Sequence, residues 1–274
     1  MRYRALLAAL LAVCLGFLTA CSSAPSEKDL GNLTYDQIVN TGLANKCLTL
    51  PESARGSIAL ESGKKYALTD LCLEPTAYFV KEEPVNKRGG EAEFVPAKVL
   101  TRKTSSLDQV YGDLTVTDSG LKFDEKGGMD FQAITVLLPG GEEVPFLFTL
   151  KGLTASADTS GITTSTDLRG EYRVPSYRTS NFLDPKGRGL TTGYQSAVGI
   201  VPSGDEAKLA KENTKRFVVG TGSVSLAISK VDPTTGEVAG VFEAIQPSDT
   251  DMGGKQAVDV KVQGQFYGRV DSAV

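Results

Sequence analysis

The chain reads as an all-β protein, a closed barrel or a two-layer sandwich, carrying one large loop insertion and a few short helices. Three observations predict it. Short apolar runs with period-2 alternation recur along most of the chain. Turn signals such as Glu74-Pro75, Asp118-Ser119-Gly120 and Pro139-Gly140-Gly141 separate them. Helical periodicity is confined to two short stretches. Closing the sheet would remove its edges, but the pattern alone does not separate barrel from sandwich.

In chain order, residues 1–20 stand apart from the fold. Arg2 and Arg4 precede an apolar run over residues 5–20, the layout of a secretory signal. That run is shorter than the ~20 residues of a membrane span. LTAC at 18–21 fits a bacterial lipobox, which makes Cys21 the lipidated first residue of the mature chain. The alternative is an ordinary signal cut near Ser22, Ser23 and Ala24. Residues 21–274 are then expected to form one domain.

Thr34 and Gln37 have capping-box spacing and predict a short helix ending near Gly42. Strands are expected at 66–73, 76–81, 94–102, 107–117, 121–123, 131–138 and 144–150, and again at 217–219, 223–231, 238–245 and 258–270. The last is the clearest, with Val258, Val260 and Val262 alternating with Asp259, Lys261 and Gln263. A second helix is expected at 204–213, with Asp205 and Glu206 in its first turn.

The stretch 162–202 fits neither period. It is rich in Gly, Pro, Ser and Thr, yet it carries Tyr172, Tyr177, Phe182 and Tyr194, a residue class that contact surfaces favour. A long loop inside a compact domain is usually functional or disordered. Pro175, Pro185, Gly187, Gly189 and Gly193 suggest a chain bent into defined turns.

The full chain has 29 basic and 33 acidic residues. Without Arg2 and Arg4 the balance is 27 against 33, a net −6. That argues against nucleic acid and anionic membrane as general partners. Of four cysteines, Cys14 lies in the signal and Cys21 in the lipobox, leaving Cys47 and Cys72. In an exported chain those two are expected to form a disulfide.

The chain has no histidine. That excludes Ser-His-Asp and Cys-His catalysis and His-ligated metals. No pair of acids stands out for carboxylate chemistry, so no catalytic residue is assigned and a non-enzymatic protein is expected. KGRGLTTG at 186–193 has Thr192 where a dinucleotide loop needs its third glycine. The calcium-loop-like run from Asp249 has Gly253 at a ligand position and Val260 in place of the closing Glu. Gly63-Lys64 and Gly254-Lys255 lack the Ser or Thr of a phosphate loop.

VPSYR (174–178), NFLDPKGRGL (181–190), LTYDQIVNTGLANKC (33–47), FVKEEPVNKR (79–88) and GQFYGRV (264–270) resemble, in order and spacing, the manganese-stabilising protein family of photosystem II. The resemblance covers essentially the whole mature chain. It implies a β-barrel with a head insertion near 152–215, acting as an extrinsic lumenal subunit of the oxygen-evolving complex. It further implies a manganese–calcium cluster ligated by other subunits, so no directly bound cofactor or metal. The partners it implies are the intrinsic reaction-centre and antenna subunits and the other extrinsic lumenal subunits. The location it implies is peripheral, on the lumenal side of the thylakoid membrane. Without a long Ser- and Arg-rich transit peptide, the source is expected to be cyanobacterial. The function expected is to stabilise the cluster and its chloride and calcium environment in support of water oxidation.

Read through that resemblance, the head charges Arg178, Asp184, Lys186 and Arg188 with Tyr177, and Tyr35 in the first helix, are partner-docking residues. Arginine forks suit carboxylates on a partner. Taken alone, Asp184 is better explained by local pairing with Lys186 or Arg188 that simply holds the loop. The run Lys81, Glu82, Glu83, Lys87 and Arg88 is a solvated face or part of the same interface. A rival function from another class is an exported β-barrel lipoprotein holding a small ligand or carbohydrate in its interior.

Overall fold

The computed structural model describes residues 33–38, 41–83, 91–101, 104–175, 219–249 and 256–272. The chain divides into two compact units, Met1–Ala44 and Asn45–Val274. In the first, helix α1 (Tyr35–Ile38) is a single turn. Gln37 Oε1 reaches back to accept from the Thr34 amide at 2.8 Å, one arm of the expected capping box. The other arm differs, because the Thr34 hydroxyl donates to the same Oε1 at 3.0 Å. A 3-10 turn follows at Leu43–Asn45.

The second unit contains β1 (Ile58–Ala59), β2 (Tyr66–Glu82), β3 (Glu93–Val99), β4 (Leu107–Thr117), β5 (Gly120–Met129), β6 (Phe131–Leu137) and β7 (Glu143–Thr149). It continues with β8 (Thr154–Ala157), β9 (Gly161–Ile162), β10 (Asp167–Pro175), β11 (Val219–Asp232), β12 (Glu237–Pro247) and β13 (Asp259–Ser272). Eight of them run in the antiparallel order β13-β12-β11-β10-β8-β5-β4-β2, and β13 pairs with β2 to close the barrel. Closure resolves the choice left open by the sequence pattern in favour of the barrel.

Strand β2 organises both ends. One edge pairs with β13 from Tyr66 to Val80. The other edge is shared: residues 66–73 pair with β4, and residues 78–82 pair with β3. The sequence reading splits this strand at Glu74-Pro75. In the structure the strand runs through, because Pro75 sits beside the register shift between Gln263 and Gly264 of β13. At such an irregularity the missing proline N–H costs no regular ladder bond.

The hairpin of β6 and β7 extends from β3 and covers the interior from above. Phe148 stacks on Phe242 at 5.9 Å, and Phe146 meets Tyr78 edge-on at 6.3 Å. Gln246 Nε2 donates to the Leu147 carbonyl at 2.7 Å, tying β12 to β7. Inward residues of alternating strands, among them Leu71, Leu114, Phe123, Leu226 and Val262, are fully buried in one continuous core. The interior is therefore filled with apolar side chains, not open as a polar lumen, which removes the basis of the interior-ligand reading.

The stretch expected to lie outside strand structure is partly barrel wall. Asp167–Pro175 is a nine-residue strand between β8 and β11. Tyr172, read from sequence as a contact aromatic, is buried. Its ring lies over Gly222 on the paired strand, where any Cβ would come within 2.5 Å of it. Its hydroxyl lies 3.3 Å from Gln246 Oε1. The wall thus continues to Pro175 and resumes at Val219, and the interval from 152 to 175 holds the three strands β8, β9 and β10. The helix expected at 204–213 lies outside the described residues.

Candidate functional site

Residues 47–59 run against the barrel and are strapped to it. Cys47 and Cys72 form the expected disulfide, with an S–S distance of 2.00 Å and Cα atoms 5.6 Å apart. Farther along, Val231 donates to the Ala54 carbonyl at 2.8 Å, and Lys230 Nζ reaches the Leu50 carbonyl at 3.0 Å. Beside the disulfide lies Glu74, buried but fully answered. It accepts from Lys46 Nζ, from the Cys47 amide at 3.0 Å and from Gln265 Nε2 at 3.0 Å. Tyr267 completes this small cluster, and its phenol donates to Glu237 Oε1 at 2.6 Å. Burial, and then the Glu237 carboxylate, push the Tyr267 phenol well above the usual tyrosine range.

A second acid site lies where β5 turns into β6. Asp130 is buried, and Lys151 Nζ pairs with its Oδ2 at 3.0 Å. Glu125 Oε2 accepts from the Gly152 amide at 2.7 Å, while its Oε1 is buried with no donor among the described residues. Burial raises the Glu125 pKa, and the facing Asp130 carboxylate adds to it. With both acids ionised there is no proton between them. A proton on Glu125 turns the contact into a hydrogen bond. Sequence inspection singles out no acid pair. The five-residue spacing of this one is bridged by Gly127 and Gly128, and only the fold brings the two acids face to face.

A cleft of about 460 Å³ opens at the upper rim, lined by residues including Val80, Glu82, Glu142, Val144 and Asp259. Lys81 there pairs with Asp259 at 3.1 Å. Among the described residues no group of three or more Cys, Asp or Glu side chains is disposed to hold a metal ion. No helix among them is long and apolar enough to cross a membrane.

Residues 31–270 match the family described as manganese-stabilising protein / photosystem II polypeptide. The chain belongs to that family. It is 75% identical to photosystem II extrinsic protein O of a Synechococcus elongatus strain, over 100% of this chain and 99% of that one. It is 57% identical to the protein of the same name from Nostoc, over 99% of this chain and 100% of that one. It is 45% identical to oxygen-evolving enhancer protein 1, chloroplastic, of Volvox carteri, over 91% of this chain and 83% of that one.

Within this manganese-stabilising fold, most of the docking residues expected from sequence fall outside the described residues. These are Tyr177, Arg178, Asp184, Lys186 and Arg188, and with them the lipidation candidate Cys21. Tyr35 opens α1, and its side chain also lies outside them. Of the charged run at 81–88, Lys81 and Glu82 end β2 and Glu83 is exposed, while Lys87 and Arg88 are not among the described residues.

Proposed function

We propose that the chain is an extrinsic lumenal subunit of photosystem II that stabilises the manganese–calcium cluster of the oxygen-evolving complex and its chloride and calcium environment. The observation that carries this is the family match over residues 31–270, joined to a barrel whose interior is already filled. A filled barrel offers its outer surface and its insertion, not a lumen, to other molecules. The work is physical: excluding bulk water and reductants, and rigidifying the lumenal loops it covers. The cluster is held by other subunits, and the redox chemistry is theirs. The chain sits peripherally on the lumenal face of a cyanobacterial thylakoid, against the intrinsic reaction-centre and antenna subunits and the other extrinsic subunits. Tyr35, Tyr177, Arg178, Asp184, Lys186 and Arg188 are its docking residues in this reading, and lipid on Cys21 adds a membrane tether.

The test is removal of the protein from thylakoids and its re-addition. Oxygen evolution and manganese retention at low chloride are expected to fall on removal and return on re-addition. Unchanged values would sink the proposal. Mass spectrometry of the mature N-terminus checks the tether: an unmodified terminus downstream of Cys21 excludes it.

A further inference from the structure

The outer wall of β12, β13, β2 and β3 carries a pre-set cation. Cross-strand register places Ile245, Lys261, Phe79 and Pro96 in one row across the four strands. The next row holds Pro247, Asp259, Lys81 and Phe94. Lys261 Nζ lies 5.0 Å from the centre of the Phe79 ring and 4.7 Å from that of Phe94. An ammonium at that distance from two ring faces is attracted to both and held in place.

A lysine stem lying along apolar surface is the ordinary way such rings are covered. Here the charged head itself, not the stem alone, is seated on the rings. Its charge is not met by an acid, since among the described residues no carboxylate lies within ion-pair distance of Lys261. The acid in the two rows, Asp259, is engaged by Lys81 at 3.1 Å, and Glu243, in the neighbouring row with Gln263, accepts from the Gln263 amide at 2.6 Å. In a chain of net negative charge, this wall presents an unanswered, immobilised positive charge flanked by Phe79, Phe94, Pro96 and Ile245.

We infer that this wall is a docking surface for a polypeptide segment carrying a carboxylate beside an apolar side chain. The carboxylate caps the Lys261 ammonium and the apolar group lies along the rings and Pro96. Holding the ammonium beforehand lowers the ordering cost that binding otherwise meets. The surface is a sheet face with one cation, so a small free anion finds no convergent donors there. The inference rests on the photosystem-docking reading and names a contact for it on the barrel, separate from the head.

The experiment uses the full mature chain and photosystem II depleted of it. Lys261→Gln is expected to rebind about tenfold more weakly, with an unchanged melting temperature. Lys261→Arg, which keeps the charge and the ring contact, is expected to stay near the wild-type affinity. Phe79→Leu with Phe94→Leu is expected to fall between the two. Zero-length carbodiimide coupling, which condenses an amine and a carboxylate to an amide while the carbodiimide becomes a urea, should join Lys261 to an acid of an intrinsic subunit. Wild-type affinity of Lys261→Gln at both low and high salt, with wild-type rebinding intact, overturns the inference alone. So does capture of the wild type, but not of Lys261→Gln, by anionic vesicles lacking protein. Failure of the wild type itself to rebind overturns the docking reading and this contact together.

Discussion

Glu74 and the Glu125–Asp130 pair are both acids drawn out of water against the same barrel, and the fold treats them in opposite ways. Glu74 meets three donors: an ammonium, a backbone amide and a side-chain amide. Glu125 meets one amide and another acid, and one of its oxygens has no donor among the described residues. Depth does not explain the difference, since Glu74 is the more buried of the two. Donor supply does. The strap that brings Cys47 against Cys72 also delivers the Cys47 amide and Lys46 to Glu74. The turn after β7 delivers only Gly152 and Lys151 to the second site, and Lys151 goes to Asp130. A buried carboxylate is fully hydrogen-bonded where the chain supplies donors, whereas Glu125 is pressed toward its protonated form by burial and by the carboxylate that faces it.

The largest break in this comparison comes from removing the strap. Cys47→Ser with Cys72→Ser frees a loop of 25 residues in the unfolded chain. In the chain-entropy account this costs about 3 kcal/mol. For a chain of this size that is a fall of roughly 6–12 °C in melting temperature, read by calorimetry. Thiol labelling of the unfolded, unreduced wild type should find neither Cys47 nor Cys72 free.

Next is Glu74 itself. Glu74→Leu leaves the Cys47 amide and the Gln265 amide facing an apolar side chain, while Lys46 is exposed enough to return to water. The expected loss is about 2 kcal/mol, from the desolvated donors more than from the ion pair. Glu74→Gln keeps an acceptor and should lose less in the same denaturant titration. Equal losses for the two variants would mean that charge, not donor satisfaction, governs the site.

These contrasts were unevenly legible in the sequence. Strands β4, β12 and β13 show their alternation openly, and the last two cysteines had only each other. Strand β10 was hidden because Gly170 takes an inward-pattern position and Pro175 closes the run. The glycine is there because a Cβ would come within 2.0 Å of the Thr154 carbonyl on β8. Strand β8 was hidden because its inward residues, Ala155 and Ala157, are small. Tyr172 reads as a surface aromatic until Gly222 on the neighbouring strand is seen to make room for it. The acid pair and the Lys261 clamp depend on register and turn geometry, which no local pattern carries.

The third test concerns the pH response of the second site. Because the folded-state pKa of Glu125 is raised above its ordinary value of 4.5, the folded chain holds a proton there that the unfolded chain has given up. Its stabilising contribution is full below about pH 4.5 and is lost as pH rises through the raised value. Glu125→Gln keeps an acceptor for Gly152 and supplies a donor to Asp130 without titrating. Its melting temperature should therefore fall less than that of the wild type between pH 4.5 and neutrality. Parallel curves would remove Glu125 from the account.

The smallest effect comes from the residue next to it, and it should carry the opposite sign. Asp124 faces outward on β5, where Lys122 Nζ pairs with its Oδ2 at 2.7 Å and the Thr154 hydroxyl donates to its Oδ1 at 2.9 Å. The Lys122 hydrogen bond, followed by that of Thr154, outweighs the modest burial and lowers the pKa below its ordinary value of 3.8. A lowered pKa contributes stability that is present above about pH 3.8 and is lost as pH falls through the folded-state value. Lys122→Gln should lower stability slightly above pH 4.5, without changing the slope there, and should erase part of the acid-side loss. Both partners are substantially solvated, so the change should be no more than a few tenths of a kcal/mol and should shrink further in salt. Paired melts of Lys122→Gln and Glu125→Gln across the acid range would then show two adjacent acids on one strand bending the stability curve in opposite directions. A Lys122→Gln effect as large as that of Glu125→Gln, or one that persists in high salt, would mean that exposure does not screen this wall as argued.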